Sequence, residues 1–169
     1  MAGGNNGNVY TSSIPVTTWI DRGNVGTVRD IVQSGSAPNH PIYVTTTNSL
    51  KKAIDNLPED GVPDGAFVTV DPGGNPFPPT APMNPNLTAM ALDGSGFPMV
   101  GTEGAGVNYW TGSNWTDVNS GLNAATINAL VPAPASSEFF AGTDGSGVYK
   151  FNGRVFEKFR PGATTLLGY

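Results

Sequence analysis

The aromatic residues between positions 109 and 115 are the part of the sequence best suited to binding a ligand. Tyr109, Trp110 and Trp115 stand beside polar residues that include Asn114. Aromatic rings next to amides and hydroxyls are typical of sites that stack a sugar or bind a protein partner. We therefore take these four residues as the candidate ligand-binding set. The competing interpretation places both tryptophans in a hydrophobic core and leaves Tyr109 as the exposed member.

Residues for catalysis do not form a recognisable set. Glycoside hydrolysis needs two convergent carboxylates, one of them with a raised pKa, and nothing singles out a pair among Glu103, Asp117, Asp144 and Glu157. His40 is the only histidine, and we expect it to lie in a solvent-facing loop. A histidine-based triad or a site with several histidine ligands would depend on it. The sequence therefore predicts no catalytic residue and no enzyme.

Metal and cofactor sites are not indicated either. The acidic turns 93–96 and 144–147 both read Asp-Gly-Ser-Gly, without the further carboxylates and the closing Glu of a calcium loop. Asp-Gly is a strong turn former, so turn formation explains both stretches. The chain has no cysteine, which excludes disulfides and thiolate sites. The sequence therefore predicts no metal and no cofactor.

Composition and charge narrow the classes of partner. Only 12% of the residues are charged, about half of the roughly 25% usual in soluble domains. The net charge of −5 and the scattered basic residues argue against nucleic-acid binding. No apolar run approaches the ~18 residues of a membrane span, and the first residues do not resemble a signal peptide. Because so few charges protect the surface against self-association, we expect the partners to be copies of this chain or other subunits.

One β-rich pattern occurs twice in the second half of the chain. Residues 139–143 form an apolar, β-prone run, residues 144–147 break it, and Asn152-Gly153 closes a hairpin onto residues 155–159. The same pattern occurs about 40 residues earlier, and a repeat of this length indicates a solenoid, a propeller or an array. The equivalent residues are Gly101-Thr102 and Gly142-Thr143, Gly106-Val107 and Gly147-Val148, Trp110 and Phe151, and Trp115 and Phe156.

With these motifs, residues 87–162 resemble β-propeller blades of the two-component-regulator and sialidase-like kind. The resemblance extends less closely to residues 28–71, where Ser49-Leu50 stands in place of Gly-Val and the Gly-Thr is missing. It implies an all-β fold of four-stranded antiparallel meanders, two of them clear and a third possible, with a β-sandwich or barrel as the alternative. A sialidase would also require an arginine cluster, which the scattered arginines do not provide: Arg22, Arg29, Arg154 and Arg160.

The chain divides into five predicted segments. Residues 1–13 are rich in Gly and Asn and are expected to be an extended arm lying on a neighbour. Residues 14–71 form an N-terminal β part, within which Leu50 to Ile54 could be a strand or a single helical turn. Residues 72–86 are a proline-rich linker or strap, residues 87–162 hold the two repeats, and residues 163–169 are a C-terminal tail.

The number of blades leads to a functional expectation. Propellers close with about four to eight blades, so two or three blades must be completed or covered by other chains. We expect a non-catalytic structural subunit of a multi-chain particle. In physical character it resembles small virion proteins of tailed phages, such as capsid decoration or tail components, which would place it in a virion. The alternative is a lectin-like oligomeric propeller that binds glycans, and a sialidase-like glycosidase is disfavoured.

Overall fold

A computed structural model of the chain shows a series of short β-strands. It describes residues 2–3, 6–11, 20–33, 40–47, 49–55, 67–70, 86–112, 114–133 and 138–160. The strands in this part of the chain are β1 (Ala2–Gly3), β2 (Asn8–Thr11), β3 (Ile20–Asn24), β4 (Val28–Gln33), β5 (His40–Thr46), β6 (Leu50–Asp55), β7 (Val68–Thr69), β8 (Leu87–Leu92), β9 (Pro98–Thr102), β10 (Val107–Trp110), β11 (Trp115–Asp117), β12 (Ile127–Pro132), β13 (Phe139–Thr143), β14 (Gly147–Phe151) and β15 (Phe156–Lys158).

The strands form four antiparallel sheets in which strands adjacent in sequence are adjacent in space. Sheet I contains β1–β3, sheet II β4–β7, sheet III β8–β11 and sheet IV β12–β15. The predicted all-β fold with four-stranded antiparallel meanders is therefore confirmed. Within the described residues three such meanders are present, and no sheet closes into a barrel.

Sheets II, III and IV share one register. Each first strand carries a β-bulge near its start, between Val28 and Asp30, between Leu87 and Ala89, and between Ile127 and Ala129. At the end of each second strand a threonine hydroxyl donates to a backbone carbonyl across the turn: Thr46 to Ser49, Thr102 to Gly106, and Thr143 to Gly147. We expected the Gly-Thr pair to be missing from residues 28–71. Its threonine is present as Thr46, and Thr45 stands where the other two sheets have glycine.

The hydrophobic core lies between consecutive sheets. One cluster joins sheets II and III and includes Tyr43, Leu50, Val100 and Trp115. A second joins sheets III and IV and includes Met99, Val107, Ala141 and Phe156. Sheet III is therefore covered on both faces, which is why all five residues of β9 are buried.

The N-terminal segment differs from its prediction. Within the described residues, 2–3 and 8–11 are not an extended arm, because β1 pairs with β2 and β2 pairs with β3. Residues 50–55 form a strand and not a helical turn, and His40 begins a strand instead of lying in a loop. The predicted linker (72–86) and tail (163–169) lie outside the described residues, apart from Asn86.

Candidate functional site

The four candidate binding residues are not brought together in one site. Tyr109 and Trp110 are consecutive in β10, so their side chains point to opposite faces of sheet III. Trp110 pairs with Trp115, and both pack in the cluster shared with sheet II. Tyr109 packs against the cluster shared with sheet IV. Asn114 is exposed in the turn before β11. Trp115 is buried and Trp110 is partly buried, as the core interpretation expects, but Tyr109 is also partly buried and not exposed.

The aromatic pairs of the two repeats occupy the same position. The rings of Trp110 and Trp115 are 5.4 Å apart at 52°, and those of Phe151 and Phe156 are 5.0 Å apart at 43°. In both sheets the two residues are cross-strand partners on the third and fourth strands. Tilted aromatic pairs of this kind stabilise neighbouring strands. The repeat predicted that Trp110 is equivalent to Phe151 and Trp115 to Phe156. This equivalence is confirmed.

Tyr109 makes one specific polar contact. Its hydroxyl donates to Asp93 Oδ2 at 2.7 Å. Burial, with a smaller contribution from the hydrogen bond and the charge of Asp93, raises the pKa of Tyr109 to about 12. The other carboxylate oxygen accepts from the backbone N–H groups of Ser95, at 2.8 Å, and Phe97, at 2.9 Å. Asp93 therefore holds the turn between β8 and β9 and ties that turn to β10.

A small cavity lies beside this contact, between sheets III and IV. Its volume is about 210 Å³ and its lining is Asp93, Met99, Tyr109, Val118, Phe139, Phe151 and Gly153. Ligand pockets usually measure about 300–1,000 Å³, so this cavity is small for a ligand. Both carboxylate oxygens of Asp93 are already engaged. The arrangement is better explained as a structural link than as a sugar site.

Asn108 is a buried polar residue that the sequence did not single out. It is 1% exposed on the face of β10 that carries Trp110, and neither atom of its side-chain amide has a hydrogen-bond partner. The ring nitrogen of Trp115, on the same face, is also buried without a partner. In sheet IV the equivalent position holds Tyr149, since both residues pair with the second strand in the same register. The contrast between Asn108 and Tyr149 at equivalent positions of the two repeats was the available signal.

One face of sheet IV is covered by no other sheet in the described part of the chain. Val131, Val148 and Phe159 are 55%, 42% and 41% exposed. Phe140 lies on the same face as the cross-strand partner of Val131, and its ring meets that of Phe159 edge-on at 5.4 Å. We call these four residues the outer face of sheet IV. Phe140 is partly exposed, and its cross-strand partner Lys150, paired with Glu138 at 2.8 Å, lies on the same face. Exposed apolar residues grouped in this way mark interaction surfaces.

Other kinds of site are not seen in the part of the chain that the structure describes. No three histidine, aspartate or glutamate side chains come close enough there to share a metal ion. Within the same residues there is no helix with the length and apolarity needed to cross a membrane.

The class of protein defined by these observations is an all-β chain of four-stranded meanders packed face to face in series. In structure it is similar to the extracellular domain of the putative hybrid two component system BT4673 from B. thetaiotaomicron, with a TM-score of 0.63, 19% identity, and coverage of 92% of this chain and 20% of that chain. The chain thus spans about a fifth of the length of that relative. At this identity the similarity shows the fold alone.

One further structure is similar to this chain, and the two sequence comparisons found no match. The extracellular domain of the putative one component system BT4673 from the same organism gives a TM-score of 0.43 at 16% identity, over 88% of this chain and 25% of that chain. No protein-family model matches the chain, and no curated protein matches its sequence.

Proposed function

We propose that this chain is a non-catalytic structural module built from propeller-type blades, which packs with further subunits in a larger assembly. The observation that carries the proposal is the outer face of sheet IV. In sheets II and III the corresponding apolar face packs against the next sheet of the same chain. Sheet IV has no following sheet among the described residues.

The arrangement of the sheets favours blades over a two-layer sandwich. The first strand of each sheet contacts the first strand of the next, β4 with β8 and β8 with β12. Such contacts are expected where the first strands line a common axis, as in a propeller. A sandwich pairs two sheets around one core, whereas sheet III takes part in two cores.

The energy available from covering the outer face is substantial. Full burial of a Val or Phe side chain is worth about 1.5–3 kcal/mol, and three of the four residues are more than two-fifths exposed. This exposed area supports a packing role for the chain. It favours copies of the chain or other subunits as partners. A packing role of this kind would suit any multi-chain particle, a virion included.

The mass of the native particle tests this function. The chain isolated from the organism that makes it should belong to a particle heavier than its own 17.5 kDa, as measured by native mass spectrometry. The same sample after denaturation gives the mass of the single chain and is the control. A native particle of single-chain mass would contradict the proposal.

A further inference from the structure

Four positions, one in each sheet, are equivalent but differ in burial. The residues are Val9 on β2, Leu50 on β6, Val107 on β10 and Val148 on β14. Each pairs with a residue of the preceding strand: Val9 with Gly3, Leu50 with Thr45, Val107 with Gly101, and Val148 with Gly142. Val9, Leu50 and Val107 are completely buried, whereas Val148 is 42% exposed. The same position of the repeat is therefore covered three times and open once.

The rest of the outer face of sheet IV follows the same rule. Its residues correspond by register to Val32, Tyr43, Leu50 and Val70 in sheet II and to Ala91, Met99, Val107 and Val118 in sheet III. The fourth residue of each set is fixed by its backbone N–H, which donates to the carbonyl of the third residue: Val70 to Leu50, Val118 to Val107, and Phe159 to Val148. In sheets II and III these sets pack on the next sheet. The residues of the outer face thus hold the positions that, in sheets II and III, pack on the next sheet.

Sheet I supplies the complementary surface. Its register, Ala2 with Tyr10 and Gly3 with Val9, repeats the pairing of Ala141 with Tyr149 and Gly142 with Val148 in sheet IV. Strands β1–β3 therefore correspond to the second, third and fourth strands of a meander. Tyr149 is 3% exposed because its face packs on sheet III. The equivalent Tyr10 is only partly buried.

The two faces of sheet I differ accordingly. Val9 is fully buried, and β1 contacts β4 of sheet II. Among the described residues, β4 is the one strand outside sheet I with which sheet I makes extensive contact, so the opposite face, which carries Tyr10, is not packed on a sheet. No other sheet in the described part of the chain therefore covers the receiving face of sheet IV or the inserting face of sheet I.

We propose that the outer face of sheet IV docks sheet I of a second copy of this chain, in a head-to-tail contact. This inference rests on the proposed packing function and names its partner. Tyr10 of sheet I and Tyr149 of sheet IV hold equivalent positions. The face with Tyr149 packs on sheet III, and we expect the face with Tyr10 to pack in the same way on sheet IV of a second copy. Two copies would bring eight sheets together, within the range of about four to eight blades in which propellers close. A heterologous contact that closes in this way gives a ring.

Cross-linking between two single-cysteine variants tests the contact directly, because the chain has no native cysteine. Val148→Cys and Tyr10→Cys are each purified alone and then mixed with a short bismaleimide. The head-to-tail contact predicts a cross-linked dimer in the mixture and none from either variant alone. Val68→Cys replaces Val148→Cys in the control, since Val68 is an exposed valine outside the outer face. Equal cross-linking through Val68→Cys, or dimers of Val148→Cys with itself, would overturn the proposal.

Native mass spectrometry of the recombinant chain over a concentration series provides the second readout. We expect the wild type to associate, and Val148→Asp to weaken association at least about tenfold because its carboxylate would be buried without a partner. Val68→Asp should associate like the wild type. A recombinant wild type that stays monomeric overturns the second-copy proposal. If the native particle is nevertheless heavier than one chain, another subunit covers the face and the proposed function stands; if it is not, both fail.

Discussion

The contrast between Gly101 and Gly142 offers a sharp test of the packing in series. The two glycines hold the same place in sheets III and IV, opposite Val107 and Val148. A Cβ at Gly101 would lie 2.7 Å from Cγ2 of Ile127, on the first strand of the next sheet. A Cβ at Gly142 would meet only Ala129 of its own sheet, at 3.6 Å. The same substitution therefore probes a covered and an uncovered face.

The expected stabilities follow from two opposing effects. Replacing glycine by alanine where the backbone allows it stabilises a protein by about 0.4–1 kcal/mol, because the unfolded chain loses conformational freedom. Gly142→Ala should show this gain. Gly101→Ala should also push Ile127 out of place, and overpacking of this kind costs about 1–3 kcal/mol. The free energy of unfolding of Gly101→Ala should thus fall below that of Gly142→Ala by about 1–3 kcal/mol.

Urea unfolding of both variants measures this difference. The samples are compared at a concentration at which both have the mass of a monomer, so that association does not contribute. Thermal unfolding gives a second estimate, since 1 kcal/mol shifts Tm by about 2–4 °C in a chain of this length. Equal stabilities of the two variants, within about 0.5 kcal/mol, would show that sheet IV does not press on Gly101 and would refute the reasoning.

Two further predictions concern the polar groups of sheet III. Tyr109→Phe should lower the free energy of unfolding by about 1.5–3 kcal/mol at neutral pH, because a hydrogen bond to a carboxylate is lost. Since the pKa of Tyr109 is raised from the usual 10 to about 12, the folded protein holds this proton more tightly than the unfolded chain, and stability is lost as the pH rises from about 10 to about 12. Urea unfolding over this range should show a smaller loss in Tyr109→Phe, with some loss remaining because burial also raises the pKa of Tyr43. Asn108→Leu should raise the free energy of unfolding by about 1–3 kcal/mol by removing an unpaired buried amide; a decrease would mean that the amide has a partner such as bound water.

Much of the fold could be predicted from the sequence because its determinants are local. Asn152-Gly153 between two apolar runs specifies a hairpin through its own backbone preferences. The matching of Trp110 with Phe151 in the sequence indicates the same strand in each repeat. The exposed Asn114 and the split between Tyr109 and Trp110 follow from strand geometry once β10 is known.

The N-terminal sheet could not be predicted in the same way. Residues 2–3 and 8–11 are mostly small or polar, so no apolar alternation marks them as strands. Their pairing depends on Ile20–Asn24, which lies further along the chain, and β1 also contacts β4 of sheet II. The composition suggested an arm because glycine and asparagine are typical of disordered segments as well as of tight turns.

The sequence by itself determined most strands and turns of the two repeats in residues 87–162, because those depend on residues close together in the chain. It did not determine which faces are covered. Val107 and Val148 are the same residue at the same place in the repeat, yet the first is completely buried and the second is 42% exposed. Burial is set by the neighbouring sheet and not by the residue or its strand, so only the tertiary structure could distinguish a packed face from one that is open to a partner.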